Sequence, residues 1–186
     1  MVGAALVSAI SLGATAVKAE VHIVALGDSA IRGHGVSANE AYPAQLEAAL
    51  RAKGHKVTVV NQGVDGDTTA GVLARLDRAA PSGTDIVVLN IGDPRGNDVV
   101  LRHLSPAAAE AGAQSIMAKL RAKGIAVYRI TQMQRGLVDR PELHVEKVHD
   151  KSNTMWHLNG QGYAIVVGRT LPAVEALVEE AEKRGH

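Results

Sequence analysis

The sequence predicts an α/β domain whose parallel sheet is covered by helices on both faces. Three observations point there. Short apolar runs of strand length alternate with longer stretches of helical spacing, beginning with VHIVALG at residues 21–27. These runs are largely continuous in their apolar character, the composition of strands buried on both faces. The tetrapeptide Arg-Ala-Lys-Gly occurs at 51–54 and again at 121–124, each time between a helical stretch and an apolar run. Basic residues in a last helical turn followed by glycine make the same helix stop both times, so the recurrence is shared punctuation and not a repeat.

Taken in order, AYPAQLEAALRAKG (41–54) carries Leu46 and Leu50 at helical spacing, a proline in its first turn and Gly54 as its stop. HKVTVVN (55–61) is the second strand, followed by the loop QGVDGDTT (62–69) and the helix AGVLARLDRAA (70–80). TDIVVLNI (84–91) is the third strand, SPAAAEAGAQSIMAKLRAKG (105–124) the next helix, and IAVYRIT (125–131) the fourth strand. Residues 134–153 are less regular, with LHVEKVH (143–149) a short strand, and a final helix begins near Asn159 with Pro172 inside it. Strand, helix, strand in this rhythm requires right-handed crossovers and a parallel sheet.

At 186 residues the chain suits one domain. A net charge of +1 from interspersed signs argues against nucleic acid or an anionic membrane as a partner. With 2% aromatic residues and no phenylalanine, stacking platforms for bases or long glycans are hard to build. The absence of cysteine excludes a disulfide framework, a thiolate metal site and a cysteine nucleophile. Residues 1–19, MVGAALVSAISLGATAVKA, are an apolar run ending in small residues at Val17 and Ala19. They read as a signal peptide cleaved after Ala19, although no basic residue precedes the run, and they are short for a membrane span. The expectation is an exported protein, periplasmic or secreted, with residues 20–186 as its single domain.

In open parallel sheets, ligands bind beyond the carboxyl ends of the strands. Each of the first three strands ends in glycine and small polar residues: GDSA (27–30), GVDGDTT (63–69) and GDPRGND (92–98). Alone, Asp28 and Ser29 read as helix caps. Four blocks in order say more: VALGDSAIRGHGV (24–36), VVNQGVDGDTTAG (59–71), NIGDPRGNDVVLRHLSP (90–106) and TMWHLNGQGY (154–163). With them the chain resembles the SGNH (GDSL-type) hydrolases, in the lysophospholipase and arylesterase branch, over residues 21–177. That resemblance implies a flavodoxin-like three-layer α/β/α sandwich with about five strands ordered 2-1-3-4-5. It implies ester hydrolysis through an acyl-Ser29 intermediate, with His157 as base and an oxyanion hole made by the Ser29 and Gly66 N–H groups and the Asn97 amide. No metal or organic cofactor is implied. The substrate would be a small-molecule ester: a short-acyl or aryl ester, thioester, lysophospholipid or acetylated sugar. Low aromatic content favours a small acyl group.

These residue types suit acyl transfer, which needs a hydroxyl nucleophile, an imidazole to take its proton and donors aimed at the developing oxyanion. Two departures from the family pattern stand out. Asp93, Pro94 and Arg95 are an insertion ahead of Gly-Asn-Asp, and Thr154 stands where the family places the aspartate that orients the base. The Thr154 hydroxyl, a nearby backbone carbonyl, or the carboxylate of Asp150 or Glu146 could serve instead. The expectation is a weakened esterase; the alternative is a relative that binds acylated ligands with little turnover.

VDGDTT also resembles the loop of haloacid-dehalogenase-like phosphatases, with Asp65 as nucleophile and Asp67 as acid, but NQGV intervenes where an apolar strand should abut the first aspartate. His144, Glu146, His149, Asp150 and His157 crowd one segment without recognised metal-ligand spacing, which reads as a solvated polar loop. No dinucleotide or P-loop motif occurs. His34 and His103 have no evident partner, and Tyr42 and Trp156 read as packing near the cleft rim.

Overall fold

The computed structural model describes residues 19–145 and 157–185. The expected signal peptide falls outside the described residues except for Ala19, and so do Glu146, His149, Asp150, Thr154 and Trp156.

Four parallel strands form one sheet among the described residues: β1 (Val21–Gly27), β2 (Val57–Gly63), β3 (Ile86–Asn90) and β4 (Ala126–Arg129), in the order β2-β1-β3-β4. This is the expected order through its first four positions; no strand pairs with the far side of β4 among the described residues. Of the segment 143–149 read as a short strand, only residues 143–145 are described, and none of them joins the sheet. Leu143 closes a 3-10 turn (Pro141–Leu143), and His144 makes an isolated antiparallel bridge to Leu158.

Side chains alternate across each strand, so β1 feeds two cores. Ile23 and Ala25 join the cluster under α2 (Tyr42–Ala52) and α6 (Gly160–Lys183), whereas Val24 and Leu26 join the cluster under α3 (Thr69–Ala79) and α5 (Pro106–Ala122). All five residues of β3 are buried, as its composition required. The two Arg-Ala-Lys-Gly stops have one geometry: Lys53 at φ −89° and Lys123 at φ −86°, followed by Gly54 at +89° and Gly124 at +78°. Tyr42 sits in the core and not at a rim, fully buried with its hydroxyl 2.8 Å from Thr170 Oγ1.

Register brings the strand ends together. Gly27 is level with Gly63 on one side and with Asn90 on the other, so the loops after β1, β2 and β3 leave the sheet at one edge. The one-turn helix α1 (Ser29–Arg32) lies directly on the end of β2. A Cβ at Gly63 would stand 2.1 Å from the Arg32 backbone nitrogen, so only glycine permits this approach.

Candidate active site

Ser29 opens α1, and Asp28 caps it by accepting the Ala30 N–H at 3.0 Å. Burial pushes the Asp28 carboxyl up to about 6 against the pull of that N–H, with Asp67 and Asp93 adding to the rise. Because α1 is a single turn, its aid to a developing negative charge is that of local N–H groups and not of a summed helix dipole.

His157 stands just ahead of α6. Its carbonyl accepts the Val145 N–H at 2.9 Å, and Asn159 both donates its N–H to the Leu143 carbonyl at 2.8 Å and caps α6 by accepting from Gln161 and Gly162. These bonds pin the backbone at His157 and just after it. His157 Nε2 lies 3.0 Å from Ser29 Oγ, joining residues 128 apart in sequence, and both side chains are half-buried. The crowded segment is therefore no solvated loop at its start: His144 is 1% exposed, with Nδ1 donating to the Arg140 carbonyl at 2.9 Å.

Gly66 has φ +72° in a turn closed by the Asp67 N–H to the Val64 carbonyl at 3.1 Å. A positive φ at the third turn position is the conformation that type II turns reserve for glycine. The inserted Asp93-Pro94-Arg95 closes on itself, with the Gly96 N–H on the Asp93 carbonyl at 2.8 Å, and Asn97 then begins α4 (Asn97–Val100). Buried Asn97 donates from Nδ2 to the Asp67 carbonyl at 2.9 Å, one residue past Gly66. The insertion thus does not separate Asn97 from the second loop.

Several residues that hold this arrangement were not evident in the sequence. Asp98 is buried and accepts the Thr69 N–H on both oxygens at 3.1 Å and the Thr69 hydroxyl at 2.6 Å, tying the third loop to the start of α3. Arg75 of α3 bonds Asp67 at 2.9 Å, the Gln62 carbonyl at 2.9 Å and the Gly27 carbonyl at 3.3 Å, gathering the ends of β1 and β2 with the loop. A signal for Arg75 exists: it lies in the stripe Val72, Leu76, Ala79 that α3 buries, where a cation needs a partner. His34, between Gly33 and Gly35 at φ +82° and +79°, packs against His157 with ring centroids 4.5 Å apart and the planes tilted by 38°. Its Nδ1 lies 3.0 Å from Asp65 Oδ2, and Arg32 reaches the same oxygen at 3.0 Å. Asp65 and Asp67 therefore face different cations instead of a shared phosphatase site.

Thr154 and Asp150, the expected groups orienting the base, lie outside the described residues. The one grouping of potential metal ligands among the described residues is His55, Glu175 and Glu179, at the amino end of β2 and away from Ser29; Lys53 already stands 2.8 Å from Glu175 there.

Known proteins resemble this chain in sequence and in fold. A 106-residue segment is 35% identical to the esterase TesA of Pseudomonas aeruginosa, covering 56% of this chain and 51% of that protein. A 76-residue segment is 36% identical to an arylesterase of Vibrio mimicus, covering 40% of this chain and 38% of that protein. The matched segments thus span about half or less of these relatives. Among solved structures, the SGNH-hydrolase family esterase AlinE4 superposes with a TM-score of 0.61 at 27% identity, over 86% of this chain and 97% of that one. Residues 25–161 match the GDSL-like lipase/acylhydrolase family, a stretch that contains Ser29, Gly66, Asn97 and His157. On that match, which spans well over half of its length, the chain belongs to the GDSL-like lipase/acylhydrolase family.

Proposed function

We propose that the protein is a serine esterase that hydrolyses carboxylic esters of small acyl groups through an acyl-Ser29 intermediate, in the manner suggested by its arylesterase and TesA relatives. The observation that carries this reading is the 3.0 Å contact between Ser29 Oγ and His157 Nε2, within the reach needed for proton transfer. Oγ attacks the ester carbonyl carbon while its proton passes to Nε2. The carbonyl oxygen, now anionic, is met by the Ser29 and Gly66 N–H groups and the second hydrogen of the Asn97 amide, the first being held by Asp67. Collapse expels the alcohol, which takes the proton from His157. Water then repeats the sequence on the acyl group, and the carboxylic acid leaves.

Thr154 or Asp150 is proposed to orient the ring from the segment before it. A poorly oriented base gives slow turnover, and in serine proteases a misassigned tautomer costs about 10⁴ in kcat. A signal peptide over residues 1–19, as the sequence suggests, would direct the enzyme out of the cytoplasm.

The test is labelling by a fluorophosphonate together with hydrolysis of p-nitrophenyl acetate. Wild type reacts in both assays and Ser29→Ala in neither; equal labelling of the two proteins removes Ser29 from the mechanism.

A further inference from the structure

Beyond the carboxyl end of β4 lies a cavity of about 470 Å³, between the loop after that strand and α6, a volume suited to a small organic ligand. Its walls are of two kinds. Ile130, Met133 and Val166 are each at most 6% exposed and present apolar surface to it. Among the described residues, three arginines line it and no carboxylate does. Arg129 is already committed, to Glu110 at 2.7 Å and to the Ile91 and Gly92 carbonyls. Arg135 and Arg169 are not: among the described residues neither guanidinium is ion-paired, and both side chains line this one cavity.

The two cations come from different elements, and Arg169 is anchored by a side-chain hydrogen bond. Arg169 on α6 donates from Nη1 to the Arg135 carbonyl at 2.8 Å. The loop carrying Arg135 is closed by its own N–H on the Gln132 carbonyl at 2.8 Å. Gln132 in turn holds φ +53° and donates its N–H to Asp93 at 3.1 Å, in the loop that leads to Asn97. Two unneutralised guanidinium groups beside an apolar pocket select a ligand that is anionic at one end and apolar along its body.

We propose that this cavity binds an organic carboxylate with a short apolar chain, its carboxylate between Arg135 and Arg169 and its chain against Ile130, Met133 and Val166. The proposal rests on the esterase reading only in the identity of the ligand, since a carboxylate is the product that ester hydrolysis releases. Binding itself requires no turnover.

Calorimetric titration with hexanoate tests it, with inorganic phosphate and hexanol as probes lacking one end each. Hexanoate binds wild type and Ser29→Ala equally, with a stoichiometry of one. Each probe binds at least ~10-fold more weakly, and the double variant Arg135→Ala, Arg169→Ala loses at least ~10-fold in hexanoate affinity, the loss of charge-assisted bonds to one ligand. Both arginines are exposed, and an unchanged melting transition shows that the double variant folds. Arg135→Gln with Arg169→Gln, which keeps length and polarity, shows the same loss. No saturable binding, undiminished binding in either double variant, loss of binding in Ser29→Ala, or phosphate binding as tightly as hexanoate each overturns the site. Hexanoate binding without Ser29-dependent hydrolysis would instead overturn the esterase reading and leave this one standing.

Discussion

Asp28 both ends a strand and starts the turn that bears the nucleophile, and it does so at a cost that depends on pH. Its carboxyl is raised from an ordinary 3.8 to about 6. Between those values the folded chain holds a proton that the unfolded chain has released. The contribution of Asp28 to stability is therefore full below about 3.8 and lost as the pH rises through 6. An asparagine in its place would cap equally well and never ionise. Asp28→Asn is expected to leave unfolding unchanged near pH 4 and to stabilise on the order of 3 kcal/mol above pH ~7, as read by urea unfolding across that range; a constant difference at all pH values would place the effect elsewhere. At this scale the sequence singled out Ser29 and His157 by motif, and their side chains lie 3.0 Å apart. It was not legible for His34, because no local pattern reports a ring contact made between distant parts of the chain.

Among the elements, α3 ties the site loops to the sheet. Thr68 caps it by accepting the Gly71 N–H, Asp98 meets its first turn, and Arg75 returns from its middle to Asp67 and two strand ends. The Arg75–Asp67 pair is close to buried, with side chains 12% and 9% exposed. Removing one partner of such a pair strands the other charge, so Arg75→Ala is expected to destabilise by about 3–5 kcal/mol in urea unfolding; a loss below ~1 kcal/mol would mean that water replaces the guanidinium without difficulty. Helix stops and strands were readable because they rest on local chemistry, as the paired Arg-Ala-Lys-Gly geometry shows. The small bridge of His144 to Leu158 was not, since residues 143–149 carry a strand-like composition whose outcome depends on which backbone lies opposite.

For the molecule as a whole, the helix layer formed by α2 and α6 joins distant parts of the sequence. Tyr42 on α2 and Thr170 on α6 meet at 2.8 Å across 128 residues, with the Tyr42 ring fully buried. Tyr42→Phe removes only the hydroxyl and is expected to cost about 1 kcal/mol, since Thr170 keeps its bond to the Val166 carbonyl. Tyr42→Ala also leaves a cavity and is expected to cost about 3–5 kcal/mol; thermal unfolding of both variants measures the split, and equal losses would assign the whole effect to the hydrogen bond. The layering and the parallel sheet followed from buried-strand composition, while the order of the strands came from family resemblance, because periodicity says which face of a strand is covered and nothing about its neighbour.

The separation between Ser29 and His157 has a consequence for biosynthesis. During synthesis the hydroxyl emerges first, alongside the sheet that carries it, and the imidazole follows 128 residues later. Until α6 docks, that imidazole does not stand beside residue 29. On the esterase reading proposed above, a nascent polypeptide cut short before residue 157 would be chemically silent.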